Sequence, residues 1–370
     1  MPDGRCINQE DVKMDSVLVL NNDAVERALS LDDCMDAIER MYRAVAAGRA
    51  VEGLRDQTHV PLGEPNLAYC LKTMNGALLD AGYMILRISS DVNDTTPVNG
   101  VAVARHLARG PGGTTCGFVI VFRTDNLAPV AIVHDDWLQL VRVGCTGAVS
   151  VRCLAREDAG DLALIGTGGQ AWWHLAAIAR VRRLRRVRVY SPTPANRERF
   201  AQRACEALGL QVEAMPDVPT AVKGADIVVA ATNVSQPILH GGWLSPGAHV
   251  VSIVSSERVR PRREIDDEVV RRAARVVAHW KPYAMRQEAA DLAEPIAKGI
   301  LAWDDIDSLC DVVAGKVKGR ASDNDITLFK NDAGMGLQFA ALAPLAYERA
   351  RDAGLGTALP AALFLQAPMH

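Results

Sequence analysis

The stretch DLALIGTGGQAWWHLAAI, residues 161–178, constrains this chain's fold more than any other. An apolar run breaks at Gly166-Thr167-Gly168-Gly169-Gln170-Ala171 and resumes at helical spacing through Trp172, Leu175 and Ile178. A strand that turns on glycine straight into a helix fits G-x-G-x-x-G/A. The first glycine makes the tight turn, the second lets backbone approach a pyrophosphate, and the small Ala171 lets helix and strand pack closely. The helix N-terminus then offers free N–H groups to phosphate. A sharp turn with no ligand has the same local pattern, so the surroundings must decide.

Those surroundings favour a nucleotide site. From about residue 156, strands LALIG, RVRVYS, QVEAM, DIVVAAT, AHVVSIV and RVVAH alternate with helical segments such as NRERFAQRACEALG, VPTAVKG and DDEVVRRAA. That alternation predicts an α/β fold with a Rossmann-type doubly wound parallel sheet. Residues 30–49 read as one helix: Ser30 caps it, Met35, Ile38, Met41, Tyr42 and Val45 share a face, and Gly48 stops it. Over 55–145, NLAYCLKTM, YMILRISS, CGFVIVFRT and PVAIVHDD read as strands of an antiparallel sheet. The tail is helical at 334–353 and is expected to pack back on the first region. The expected organisation is a dinucleotide-binding domain over 156–319. Residues 1–155 and 320–370 form an α+β domain for substrate binding and dimerisation.

The second strand of the nucleotide unit bears on the cofactor. An NAD site usually ends that strand with an acid that accepts from the ribose hydroxyls. Here it ends in Tyr190-Ser191-Pro192-Thr193-Pro194-Ala195-Asn196-Arg197, and no acid occurs between Arg182 and Arg197. The hydroxyls of Ser191 and Thr193 with the Arg197 cation suit a 2′-phosphate, so NADP(H) is expected over NAD(H). Ala231 and Thr232, ending DIVVAAT, and Val254, ending AHVVSIV, fall at the carboxyl edge where dinucleotides lie.

Composition narrows the field. The chain has 370 residues, 41 basic against 44 acidic, a formal net charge of −3, which recruits neither nucleic acid nor an anionic membrane. No apolar run is long enough for a membrane span, and the polar start MPDGRCINQEDVKMD has no signal-peptide apolar region. Eight dispersed cysteines with no C-x-x-C suit a reducing cytoplasm. The histidines show no ligand spacing, so no catalytic metal is expected.

Along nearly its whole length the sequence resembles the ornithine cyclodeaminase/mu-crystallin family. The resemblance rests on DCMDAIERMYRAVAAGRA, QLVRVGCTGAVSVRCLAREDA, IGTGGQAWWHL, ADIVVAATNVSQPIL, LSPGAHVVSI and SDNDITLFKNDAGMGLQFAA. It implies a homodimer joined through the first domain's sheet, with an amino or imino acid held against a nicotinamide. Three functions stay open. One is an NADP(H)-dependent oxidoreductase acting on an imino or oxo acid. Another is an ornithine- or lysine-type cyclodeaminase with bound NAD. The third is an NADPH-dependent ligand-binding protein of mu-crystallin type.

The resemblance also implies site residues. Arg142, opening the Arg-Thr-Gly-Ala-like block, and Arg55 match arginines that hold the substrate carboxylate, for which guanidinium forks are suited. A structural cation capping a helix is the alternative for Arg142. Where the family has lysine in a Gly-x-Lys strand, this chain has Arg87, a poor proton donor; Lys72, one strand earlier, replaces it if it faces the same cleft. Thr146 matches a hydroxyl that contacts cofactor. Cyclodeaminases carry an aspartate after AHVVSI, where this chain has Ser255 or Ser256 with Glu257 nearby, which argues against ornithine cyclisation. The following VRPRR reads as a solvated basic loop or an extension of an anion site. His59 is within chemical reach of acid–base work but reads as a sheet histidine. Together the arginines point to an anionic substrate with one carboxylate or two.

Overall fold

Strand Asp161–Ile165 lies third in an eight-stranded sheet that is parallel throughout. The computed structural model describes residues 16–367 apart from 54, 65, 99–100, 256–260 and 332–333. From one edge the strands run Val212–Ala214, Arg186–Tyr190, Asp161–Ile165, Ile227–Ala230, His249–Ser252, Ile326–Lys330, Ala273–Ala278 and Ile306–Ser308. The order reverses direction between Asp161–Ile165 and Ile227–Ala230, the switch point where α/β sheets open a crevice.

The second sheet has nine strands. Its path is Thr357–Pro360, Ser16–Leu20, Pro129–His134, Cys116–Arg123, Tyr83–Val98, Ala68–Leu78 and Ala50–Glu52. Asp56–Pro61 also pairs with Ala68–Leu78, and Val101–Leu107 with Tyr83–Val98. The strands within 55–145 pair antiparallel, but Ser16–Leu20 joins Pro129–His134 in parallel, so the sheet is mixed.

Helix Leu31–Ala46 has the expected caps. The Ser30 hydroxyl accepts from Asp33 N, and the Asp33 carboxylate accepts from Ser30 N, a capping box worth about 1 kcal/mol. Its Met35, Ile38, Met41 and Tyr42 face is buried. Helix Asp136–Leu154 links the two sheets and packs on the glycine-turn helix Gly169–Val181. Glycines permit the close approach: a Cβ on Gly144 would sit 2.5 Å from the Trp173 carbonyl oxygen.

One boundary moves. Ile326–Lys330 falls after residue 320, where the chain was expected to have rejoined the first domain, yet it is a fully buried strand between His249–Ser252 and Ala273–Ala278. The return comes after it, with helix Gly336–Asp352 packing on the nine-stranded sheet. Both sheets contribute to one continuous apolar cluster, from Val119 and Val130 in one to Leu162 and Val229 in the other.

Candidate functional site

Side chains alternate along a strand, so residues two apart share a face. On Ala68–Leu78, Lys72 and Met74 face one way; on Tyr83–Val98, Arg87, Ser89 and Asp91 do. Cross-strand register aligns Gln57 with Lys72, Lys72 with Ser89, and Met74 with Arg87. This common face floors a cavity of about 670 Å³ against the carboxyl edge of the parallel sheet. Arg55, Lys72, Arg87 and Arg142 all line it, so Lys72 does face the same cleft as the three arginines.

Each cation is held differently. Arg87 Nε donates to Asp135 at 2.7 Å, and its guanidinium also reaches Gln139 at 3.4 Å. Lys72 Nζ lies 3.3 Å from Asp91, whose carboxylate also accepts from Ser89 at 3.0 Å. Arg55 donates to Gln57 at 3.2 Å. Arg142 sits in the middle of helix Asp136–Leu154, so it does not cap a helix; its side chain enters the cavity wall. It donates to Gln338 Oε1, and Gln338 Nε2 in turn donates to Thr146 at 2.8 Å.

Arg87 and Arg142 share an aromatic neighbour. Their guanidinium carbons lie 5.1 and 4.7 Å from the ring centroid of buried Phe339, within cation–π range. Burial, then the Arg87 and Arg55 charges, press the Arg142 pKa below the ordinary guanidinium value. It remains a cation at neutral pH. Among the described residues no carboxylate forms an ion pair with it, and its buried Nε has no hydrogen-bond partner.

The opposite wall comes from the parallel sheet. Gln170, Thr232, Ile253, Val254 and Ser255 line it. The Ser255 Oγ and Gln170 Oε1 are buried without hydrogen-bond partners. Buried Glu264 fixes this wall. Its carboxylate accepts from Thr232 N at 3.2 Å and Oγ1 at 2.8 Å, from Ser252 Oγ at 3.0 Å, from Val254 N at 2.7 Å, and from Ile253 N. It thereby ties together the ends of two neighbouring strands. Beneath it, Lys330 Nζ, Asp291 and Ser252 form a buried charge-assisted cluster, with Lys330–Asp291 at 2.8 Å.

The glycine turn stands at the switch point. Gly166 has φ +121°, and a Cβ there would lie 2.1 Å from the Ala231 carbonyl oxygen; only glycine fits. Thr167 follows it. Gly168 is the N-cap of Gly169–Val181 with φ −81°, no side chain caps that helix, and a Cβ on Gly168 would meet nothing within 4 Å. Ala171 is fully buried. Uncapped first-turn N–H groups beside open space fit a dinucleotide's pyrophosphate. At the end of the next strand, Arg197 donates to the Ser191 carbonyl at 2.8 Å, and Thr193 is the N-cap of helix Pro194–Leu208.

Some expectations change. Thr146 is fully buried behind Arg142 and does not line the cavity; its partner is Gln338. His59 is a strand residue that does line the cavity, 3.8 Å from Cys70 Sγ. The basic loop is not simply solvated: Arg262 lines the cavity, and Arg263 is buried against Glu294 and Asp267. Ser256 and Glu257 lie outside the described residues. Sequence reasoning missed Asp91, Asp135, Gln139 and Glu264. Period-two spacing from Arg87 would have flagged Asp91, and Gln139 lies one helical turn before Arg142; Asp135 and Glu264 are distant along the chain from their partners Arg87 and Thr232.

The family model described as Ornithine cyclodeaminase/mu-crystallin family matches residues 15–354. A Delta(1)-pyrroline-2-carboxylate reductase of Bacillus cereus is 33% identical over 245 residues, covering 66% of this chain and 74% of that protein. The solved Thermococcus litoralis Delta(1)-pyrroline-2-carboxylate reductase, in complex with NADH and L-proline, is similar with a TM-score of 0.81 at 27% identity, over 92% of this chain and 99% of the other. The iminosuccinate reductase of Paracoccus denitrificans, in complex with NAD+, is similar with a TM-score of 0.77 at 25% identity, over 93% and 99%. Fold, switch-point turn and these likenesses define the class, an NAD(P)-dependent oxidoreductase. Within that class the chain belongs to the ornithine cyclodeaminase/mu-crystallin family.

Proposed function

We propose that the protein transfers hydride between NADP(H) and the electrophilic carbon of an imino or oxo acid. The observation that carries this is the convergence of Arg55, Lys72, Arg87 and Arg142 on one cavity whose far wall is the nucleotide edge of the parallel sheet. In this reading the first-turn N–H groups from Gly168 to Ala171 take the pyrophosphate. Ser191, Thr193 and Arg197 take the 2′-phosphate, and Ala231, Thr232 and Val254 border the nicotinamide half. Thr146 acts on that half only through Gln338. When bound, the nicotinamide supplies or accepts the hydride.

The chain's own groups orient the substrate and move the proton. Arg142 and Arg87, braced by Gln338, Asp135 and Phe339, hold the substrate carboxylate in a fixed position. Lys72 is the proton donor to the reduced nitrogen or oxygen, and Asp91 holds its ammonium in place. His106 Nδ1 lies 3.7 Å from the same Asp91 carboxylate. Ser255 lines the cavity near where a cyclodeaminase would place a carboxylate, which disfavours recognition of a distal ammonium.

The two sheets support a division into a nucleotide unit from about 156 to 330 and a substrate unit from both chain ends. We take the protein to be a cytoplasmic homodimer joined through the nine-stranded sheet. Among the described residues no helix is long and apolar enough to cross a membrane. The test is oxidation of NADPH and NADH with cyclic imines and with oxo acids plus ammonium. Turnover with NADPH preferred supports the reading. Ammonia release from ornithine or lysine without added cofactor overturns it in favour of a cyclodeaminase. Tight NADPH binding without turnover of any of these acids overturns it in favour of a binding protein.

A further inference from the structure

A lysine that has given up its proton is a neutral amine, and it must be recharged before the next turnover. Lys72 keeps only 10% of its side-chain surface exposed. In the reading above, substrate and nicotinamide stand on its cavity side while the reaction runs. The cavity floor offers the proton another way back.

Arg87, Ser89, Asp91 and Asn93 alternate onto one face of strand Tyr83–Val98 and line the cavity. Register sets Lys72 beside Ser89 on one side, and His106, from strand Val101–Leu107, beside Asn93 on the other. Asp91 stands between them. Its Oδ2 lies 3.3 Å from Lys72 Nζ, and its Oδ1 lies 3.7 Å from His106 Nδ1. The Ser89 hydroxyl donates to Oδ2 at 3.0 Å and steadies the carboxylate. Its two oxygens thus face two different proton carriers. Side-chain exposure rises along the row, from 10% at Lys72 through 14% at Asp91 to 61% at His106. The outer group is an imidazole, whose ordinary pKa lets it both take and release a proton near neutral pH. A swing of about 1 Å by this exposed ring brings Nδ1 within hydrogen-bond distance of Asp91. The charges acting on the ring are those of Lys72, Asp91, Arg262 and Arg55.

We propose that His106 and Asp91 form a proton relay that recharges Lys72 from solvent. This rests on Lys72 being the donor in the reading above and deepens it. His106 acts only through Asp91 and is a positioning residue for the proton. When hydride reaches the C=N carbon, the Lys72 ammonium passes one proton to the nitrogen and becomes a neutral amine. His106, protonated from water at Nε2, gives its Nδ1 proton to Asp91 Oδ1. The carboxyl group turns and gives that proton to the Lys72 amine. The row returns to ammonium, carboxylate and neutral imidazole, with one solvent proton consumed for each hydride.

The test is steady-state reduction of a cyclic imino acid by NADPH in the parent, in His106→Ala and in His106→Gln, with and without added imidazole. Both variants should lose about tenfold in kcat, less than the roughly 100-fold of a group acting directly on the reacting atoms, with both KM values nearly unchanged. Imidazole should restore most of the kcat of His106→Ala. The solvent isotope effect on kcat should grow in both variants, because proton return has become the slow step. An unchanged kcat, or a loss that imidazole leaves in place, overturns the relay and leaves the reductase reading standing. If the parent turns over no imino or oxo acid, the reductase reading fails, and the row is read by nuclear magnetic resonance titration of His106. Lys72→Met should raise the His106 pKa by removing a positive charge, and Asp91→Asn should lower it by removing a negative one. Opposite shifts support the row, and a titration that neither variant moves overturns it.

Discussion

Two glycines two positions apart in one turn, Gly166 and Gly168, separate a structural role from the proposed binding role. Alanine at 166 places its Cβ 2.1 Å from the Ala231 carbonyl oxygen and holds φ at +121°. The backbone strain alone costs about 1–3 kcal/mol. Relieving the overlap requires moving Ala231, whose N–H donates to Ile165 at 2.8 Å between neighbouring parallel strands. A total of about 3–5 kcal/mol follows, a large part of a typical domain's stability. Alanine at 168 meets nothing within 4 Å at φ −81°, a conformation alanine adopts freely. Its effect on stability should be neutral or favourable by up to about 1 kcal/mol. The added methyl group instead fills the space where a pyrophosphate must approach the first-turn N–H groups. Losing two charge-assisted hydrogen bonds at about 1.5 kcal/mol each weakens NADPH and NADH binding about 100-fold. Titration calorimetry measures the affinity, and thermal unfolding measures the stability. Gly168→Ala with unchanged melting and cofactor affinity within threefold of the parent would refute the cradle and leave only a sharp turn.

Three further outcomes are expected. The Glu52 carboxylate accepts from Gly336 N at 2.7 Å and Leu337 N at 2.8 Å, yet burial pushes its pKa up to about 7. Below the usual carboxylate range both folded and unfolded chains carry this proton; between there and pH 7 only the folded chain does. Stability therefore falls as pH rises through that window, by about 3 kcal/mol from this group, and Glu52→Gln should flatten a Tm series from pH 4.5 to 8. Glu264→Gln cannot accept on both sides, so one strand end is released; KM for the nicotinamide cofactor should rise about tenfold with the far-ultraviolet circular dichroism unchanged, and an unaltered KM would count against the clamp. Arg197→Ala should weaken NADPH at least about tenfold more than NADH, and equal losses would remove the 2′-phosphate assignment.

The features legible in the sequence are those that one segment carries alone. The glycine turn, the Ser30 cap and the amphipathic face of Leu31–Ala46 follow from steric needs and helical spacing within a few residues. The arginines that line the cavity stood out by residue type and family resemblance, but that Lys72 shares their cleft is seen only in the structure. What stayed hidden depends on pairs far apart in the chain. Arg87 meets Asp135 across 48 residues, and Thr232 meets Glu264 across 32. Strand Ile326–Lys330 is five buried residues behind a polar stretch, and such a run reveals no neighbours on its own. Thr146 shows the same limit: its partner Gln338 lies 192 residues away, and no local pattern announces that bond.

The apolar cluster that runs through both sheets has a thermodynamic consequence. Helix Asp136–Leu154 is buried along most of its length, and residues from the two sheets pack into one core around it. Neither half can melt without opening that core, so calorimetry should record a single cooperative transition whose van't Hoff and calorimetric enthalpies agree. Cofactor bound at the nucleotide edge then stabilises the distant nine-stranded sheet by the same free energy as its own. The cleft between them is thus walled by two parts of one packed core.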